Sequence, residues 1–192
     1  MTWAAVILTG GRARRLGGTD KGALEHRGRT LLEHALDAVG DAAETVVVGH
    51  EVSVRRPVTF AHESPAGGGP LAGLAAGVAA LEGEHELVVV LAVDMPHVSH
   101  DTVGRLLAAA EGVDGAWLTD GQGRRQLAGA VRPSLVSAAG HAEGVPMHTL
   151  MNAGSSRDVA AVGREADDVD TWADVTRLRD GEPPGVATPP QT

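Results

Sequence analysis

Between Leu8 and Gly22 the chain reads LTGGRARRLGGTDKG, which holds five glycines, three arginines and one lysine. Successive glycines let backbone N–H groups approach a phosphate closely. Arg12, Arg14, Arg15 and Lys21 supply the charge that a polyphosphate needs. A surface turn with solvated arginines is the plain alternative. Five glycines, four cations and a preceding apolar run favour a loop that wraps a triphosphate. It is not a Walker A motif, because Asp20 rather than Gly precedes Lys21 and no Ser or Thr comes after it. A second feature is Asp94, in VDMP, the first polar residue after the run LVVVLAV (87–93). Phosphoryl and nucleotidyl transfer need a cation to offset phosphate charge, and Mg²⁺ prefers one or two carboxylates. Asp94 is the best single ligand.

These residues need elements to position them. Trp3–Leu8, Thr45–Gly49 and Leu87–Val93 read as buried strands, with Pro57–Ala61 as a further one. Thr30–Val39, Pro70–Leu81 and His100–Ala110 read as helices, the last capped by Ser99. Gly115–Leu118 and Gln126–Arg132 read as strands around the turn DGQGR, the second pairing back. A short helix begins after Pro133, Asp158–Val162 is a strand, and Trp172–Arg179 is a final helix. The stretch His141–Asn152 has no clear pattern. Alternation of this kind predicts a three-layer α/β/α fold, a Rossmann-like, mostly parallel sheet with one antiparallel strand. Ligands of such sheets sit at the carboxyl ends of the strands. The first loop and Asp94 both fall there.

Composition bounds the rest. The 192 residues carry a formal net charge of −9, which argues against a general nucleic-acid or membrane-surface binder. There is no cysteine, which fits a cytoplasmic protein. No window resembles a signal peptide or a membrane span. Residues 1–180 are expected to form one domain, and 181–192 (GEPPGVATPPQT) a disordered tail.

The stretch LTGGRARRLGGTDKGAL closely resembles the signature loop of the molybdenum cofactor guanylyltransferases, which are nucleotidyltransferases of the nucleotide-sugar-pyrophosphorylase-like group. GPLAGL (69–74), VDMP (93–96) and DVDTWADV (168–175) match further family motifs in order. The resemblance implies Mg²⁺-dependent transfer of GMP from GTP to the phosphate of molybdenum-loaded molybdopterin, with release of diphosphate. It implies that Leu8, Thr9, Gly10 and Gly11 line the nucleotide site. Arg15 and Lys21 would hold phosphates, with Lys21 nearest the reacting centre, and Asp94 would hold Mg²⁺. A later acidic residue near the metal is also implied, Asp170 or Asp168, although EADDVD equally suits a solvated acidic turn. The base would meet Gly49 and Glu63, with His62 as an alternative to Glu63. Proteins that deliver or accept the cofactor are implied partners; nucleic acid and membrane are not.

Several other patterns compete. GGGPLA (67–72) fits a dinucleotide-binding G-x-G-x-x-A, but five residues separate it from the preceding strand, where an immediate turn is required. Close packing of a helix on the sheet is the better use of Gly69, Gly73 and Gly77. His97 and His100 have ligand-like spacing without a third partner, which favours a capping or exposed role. Arg124 and Arg125 lie in a segment that resembles the family's but lacks its proline; they suit solvated hairpin charges or an acceptor phosphate. The rival readings are a molybdenum cofactor cytidylyltransferase, a non-catalytic nucleotide-binding adaptor and an NAD-linked oxidoreductase.

Overall fold

The apolar runs assemble into one seven-stranded sheet. The computed structural model describes residues 2–10, 21–63, 67–139 and 144–180. Gly11, Arg12, Arg14, Arg15, His141 and the 181–192 tail lie outside the described residues. The strands of the main sheet are β1 (Trp3–Leu8), β4 (Glu44–Val48), β5 (Thr59–Ala61), β6 (Leu87–Ala92), β7 (Gly115–Thr119), β8 (Arg125–Val131) and β9 (Ser156–Ala160). A separate hairpin is formed by β2 (Glu25–His26) and β3 (Arg29–Thr30). The helices are α1 (Leu31–Ala38), α2 (Pro70–Ala79), α3 (His100–Ala109), α4 (Pro133–Ala139), α5 (Met147–Met151) and α6 (Trp172–Asp180).

The order across the sheet is β5-β4-β1-β6-β8-β7-β9. Strand β8 runs antiparallel to both of its neighbours, β6 and β7, and the other pairings are parallel. The continuous apolar runs result from cover on both faces. Along β1, Ala5 and Ile7 pack with α1, α3 and α6, while Ala4, Val6 and Leu8 pack with α2, α4 and α5. The result is the expected three-layer arrangement with one reversed strand.

Two helix starts are fixed by reciprocal caps. Thr30 accepts from the Glu33 amide while Glu33 accepts from the Thr30 amide, and Ser99 and Thr102 make the same exchange. Each such cap is worth about 1 kcal/mol. The shortest helix, α5, falls in the stretch without a clear pattern. Strand β9 begins two residues before the expected Asp158. Its start is set by backbone pairing, with the Asp114 amide donating to the Ser155 carbonyl at 2.8 Å, not by an apolar run.

Of the three glycines assigned to helix packing, Gly77 fits best. A Cβ there would lie 2.4 Å from Val6 Cγ1. Gly73 would make ordinary contact with Leu8 at 3.4 Å. A Cβ on Gly69 would meet nothing within 4 Å; its φ of +92° makes it the turn residue that opens α2, with Pro70 in the first turn. Its conformation, not packing, demands glycine.

The β2–β3 turn places Arg27 at φ 51° and Gly28 at φ 75°. Two positive φ values in a two-residue hairpin are those of a type I′ turn, in which Asn is favoured at the first position. Arg27→Asn is therefore expected to stabilise the fold by about 0.5–1 kcal/mol, since left-handed backbone costs an ordinary side chain more. The corresponding rise in Tm, about 1–4 °C, is read in a thermal melt.

Candidate active site

The carboxyl ends of the central strands are stitched together by backbone bonds. The Thr9 amide donates to the Val48 carbonyl at 3.0 Å, Gly49 to Ala61 at 2.9 Å, and Val93 to Leu8 at 3.0 Å. Leu8 is buried and serves through its main chain, and the Thr9 hydroxyl donates to the Val48 carbonyl at 3.0 Å. Strand β6 ends at Ala92, so Asp94 emerges at the same edge as Thr9 and Gly10. A single 3₁₀ turn, Lys21–Ala23, anchors the main chain of Lys21, with the Leu24 amide bonded to the Lys21 carbonyl at 3.2 Å.

Lys21 is where these elements meet. Its Nζ donates to Asp94 Oδ2 at 2.7 Å and to Asp170 Oδ1 at 2.6 Å. Its side chain is only 13% exposed, against 21% for Asp94 and 47% for Asp170. Burial alone would lower the Lys21 pKa. The hydrogen bonds to Asp170 and Asp94, and their charges, outweigh it and hold the ammonium above its usual range. Asp170 arrives from far along the chain. The Val169 amide donates to the Asp94 carbonyl at 2.9 Å, which ties the late loop to the end of β6. Thr171 and Asp174 then start α6 with a reciprocal cap: the Asp174 amide donates to Thr171 Oγ1 at 3.2 Å, and the Thr171 amide donates to Asp174 Oδ2 at 2.7 Å.

Of the two late carboxylates, Asp170 joins the cluster and Asp168 stands beside it. Partial burial, then the charges of Asp170 and Asp94, push the Asp168 carboxyl up, with Lys21 opposing. The Asp94 and Asp170 oxygens converge on one cation, and both are hard oxygen donors. That donor set suits Mg²⁺, which takes one or two carboxylates and completes its shell with water and phosphate. Among the described residues no group of three or more His, Cys, Asp or Glu side chains is arranged to hold a metal. A cation here would draw its remaining ligands from substrate.

Beyond β1, after β4 and β5, lie the residues expected to meet the base. A Cβ on Gly49 would sit 1.8 Å from Thr9 Oγ1, so only glycine lets the β4 turn close on the first loop. Gly49→Ala is expected to cost about 1–3 kcal/mol of stability. Adding Thr9→Ala should recover part of that loss in thermal melts, since it removes the colliding hydroxyl. Glu63 lies just beyond β5, and its Oε1 accepts from the Gly67 amide at 2.7 Å. Its carboxylate thus also closes its own loop. His62 is exposed and lies edge-on to His50, with 6.3 Å between ring centres.

The other candidates are engaged elsewhere. His100 Nε2 pairs with Asp41 at 2.8 Å. His97 packs edge-on to the buried His26, 5.9 Å between ring centres. Arg124 pairs with Asp120 at 2.7 Å within its own turn. Arg125 reaches Asp158 at 2.6 Å and the Met151 carbonyl. These contacts tie β8 to β9 and to the end of α5. The β2–β3 hairpin and the α6 cap are additions to the elements expected from sequence. An Arg-Gly pair between short polar strands and Thr171-x-x-Asp174 are the signals that mark them.

A family model described as MobA-like NTP transferase domain matches residues 5–167. A molybdenum cofactor guanylyltransferase from Shewanella sp. (strain ANA-3) is 33% identical over 138 residues, covering 68% of this chain and 69% of the relative. One from Shewanella putrefaciens (strain CN-32 / ATCC BAA-453) is 29% identical over 177 residues, covering 88% and 86%. Among solved structures, molybdopterin-guanine dinucleotide biosynthesis protein A from Archaeoglobus fulgidus superposes with a TM-score of 0.74. It is 20% identical, with 92% of this chain and 97% of that one covered. At that identity the likeness speaks for the fold. No helix among the described residues is long and apolar enough to cross a membrane.

Proposed function

Because the chain belongs to the MobA-like NTP transferase family and is a nucleotidyltransferase, we propose that it transfers GMP from GTP to the terminal phosphate of molybdenum-loaded molybdopterin. A phosphate oxygen of the acceptor forms a bond to the α-phosphorus of GTP. The bond from that phosphorus to the bridging oxygen breaks, and diphosphate leaves with the electron pair. The product is a guanine dinucleotide form of the cofactor. The observation that carries this reading is the convergence of Lys21, Asp94 and Asp170 at the carboxyl edge of β1 and β6.

The attacking phosphate is already ionised, so no side chain is required as a base. Alignment and charge stabilisation suffice. Gly10 offers a backbone donor at the strand end, and on the family resemblance Gly11 and Arg15, outside the described residues, would supply further phosphate donors. Asp94 and Asp170 would hold Mg²⁺, which when bound neutralises phosphate charge and orients the leaving group. Lys21 turns from the two carboxylates to the phosphates.

The base is guanine on this reading. Glu63 would accept from the ring N–H and exocyclic amine, groups that cytosine does not present in that pattern. Isothermal titration in Mg²⁺ should show GTP binding more tightly than CTP, ATP or NAD, and tighter CTP binding would transfer the reading to a cytidylyltransferase. Binding of GTP without formation of the dinucleotide product from molybdopterin would indicate an adaptor. Glu63→Gln keeps an acceptor for the Gly67 amide while it removes the charge and turns the other acceptor oxygen into a donor. It should weaken GTP by about 1–3 kcal/mol, and an unchanged affinity would pass the role to His62 or to the Gly49 main chain.

A further inference from the structure

We infer that Lys21 is a resident counter-ion of the metal site, keeping Asp94 and Asp170 closed to a divalent cation until nucleotide phosphates draw the ammonium away. The inference rests on the reading of Asp94 and Asp170 as the metal-binding carboxylates, and it adds an order of events to it.

The geometry is direct. The ammonium donates to one oxygen of each carboxylate, at 2.7 and 2.6 Å. These are charge-assisted bonds of full strength by their length. A divalent ion bridging the same two groups would stand beside Nζ and be repelled by it, in a setting where Lys21 is mostly shielded from water. The two cations therefore compete for one pair of carboxylates. The main chain at Lys21 is pinned by its 3₁₀ turn and Gly22 is buried, so release is a rotation of the four-carbon side chain alone. Polyphosphate is the natural trigger, because it offers the ammonium a new anionic partner and offers the metal further oxygen ligands in the same event. Metal and nucleotide then bind with positive coupling. By linkage, each raises the affinity of the other by the same factor.

A lysine that merely touched phosphates would leave the nucleotide-free metal site unaffected by its removal. A counter-ion lysine makes the opposite demand: deleting its charge should improve metal binding while harming catalysis. The test is Mn²⁺ binding to the nucleotide-free full-length protein, read by electron paramagnetic resonance at constant ionic strength. Lys21→Met should bind Mn²⁺ at least tenfold more tightly than the wild type. Lys21→Met/Asp94→Asn should lose that gain. With GTP present, the wild type should bind Mn²⁺ tightly and the advantage of Lys21→Met should vanish. Lys21→Gln serves the same purpose if thermal melts show Lys21→Met to be unfolded. Equal Mn²⁺ affinity in wild type and both Lys21 variants, with Asp94→Asn still abolishing metal binding in the GTP complex, would overturn the counter-ion role and leave the metal assignment standing. Unaltered Mn²⁺ binding to the Asp94→Asn complex with GTP would instead overturn the metal assignment, and the inference with it.

Discussion

Asp94→Asn is expected to lower GMP transfer by about three orders of magnitude or more while leaving the melting temperature close to that of the wild type. Loss of a single preorganised group at a charge-developing centre costs roughly 10²–10³ in rate, and on the proposed reading the loss of a metal-binding charge would be added to it. The fold should survive for reasons visible in the structure. The Asp94 carbonyl, which accepts from the Val169 amide, is untouched by the change. An asparagine oxygen still accepts from Lys21, and Lys21 keeps its bond to Asp170. Steady-state turnover and a thermal melt on the same preparation decide the matter. A rate within about tenfold of wild type would remove Asp94 from the metal site and transfer the role to Asp170 or Asp168.

Lys21→Met should lower turnover at saturating GTP by about 10²–10³, with a much smaller change in GTP affinity. Glycine N–H groups and the arginines of the first loop can hold the ground-state phosphates. The ammonium, a mobile point charge, can track the shift of charge at the α-phosphorus. Single-turnover rates alongside titration separate the two effects. A collapse of affinity with normal turnover at saturation would make Lys21 a binding residue only. The same substitution leaves Asp94 and Asp170 facing each other without a cation, so its melting temperature should rise when Mg²⁺ is added, more than that of the wild type.

How far the sequence discloses this arrangement depends on the kind of signal. Runs such as Val88–Leu91 are apolar because both faces are covered, and they announce the central strands directly. Strand β9 half-faces solvent at the sheet edge, so its boundary depends on a pairing partner far away in sequence. Short elements escape for a related reason: Glu25–His26 and Met147–Met151 are too brief to show a period. Lys21 and Asp94 are legible one at a time from their strand-end positions. Their direct contact is not, and neither is the choice of Asp170 over Asp168. The Val169–Asp94 backbone bond holds the late loop beside the end of β6, and of its two carboxylates it is Asp170 that reaches Lys21. Gly69 shows the converse. Its glycine stands out in the sequence, but its cause is a positive φ and not the packing that explains Gly77.

Lys21 and Asp170 are 149 positions apart, yet their side chains meet. Contacts of such long range form only when most of the chain has collapsed around them. During synthesis the first loop and β1 leave the ribosome early, and Asp170 is among the last charged residues of the sheet domain to emerge. A nascent or truncated chain lacking α6 and the loop before it therefore has Lys21 and Asp94 without the residue that completes their arrangement. On the proposed reading, a chain clipped before Val169 would lack the second carboxylate that meets Lys21.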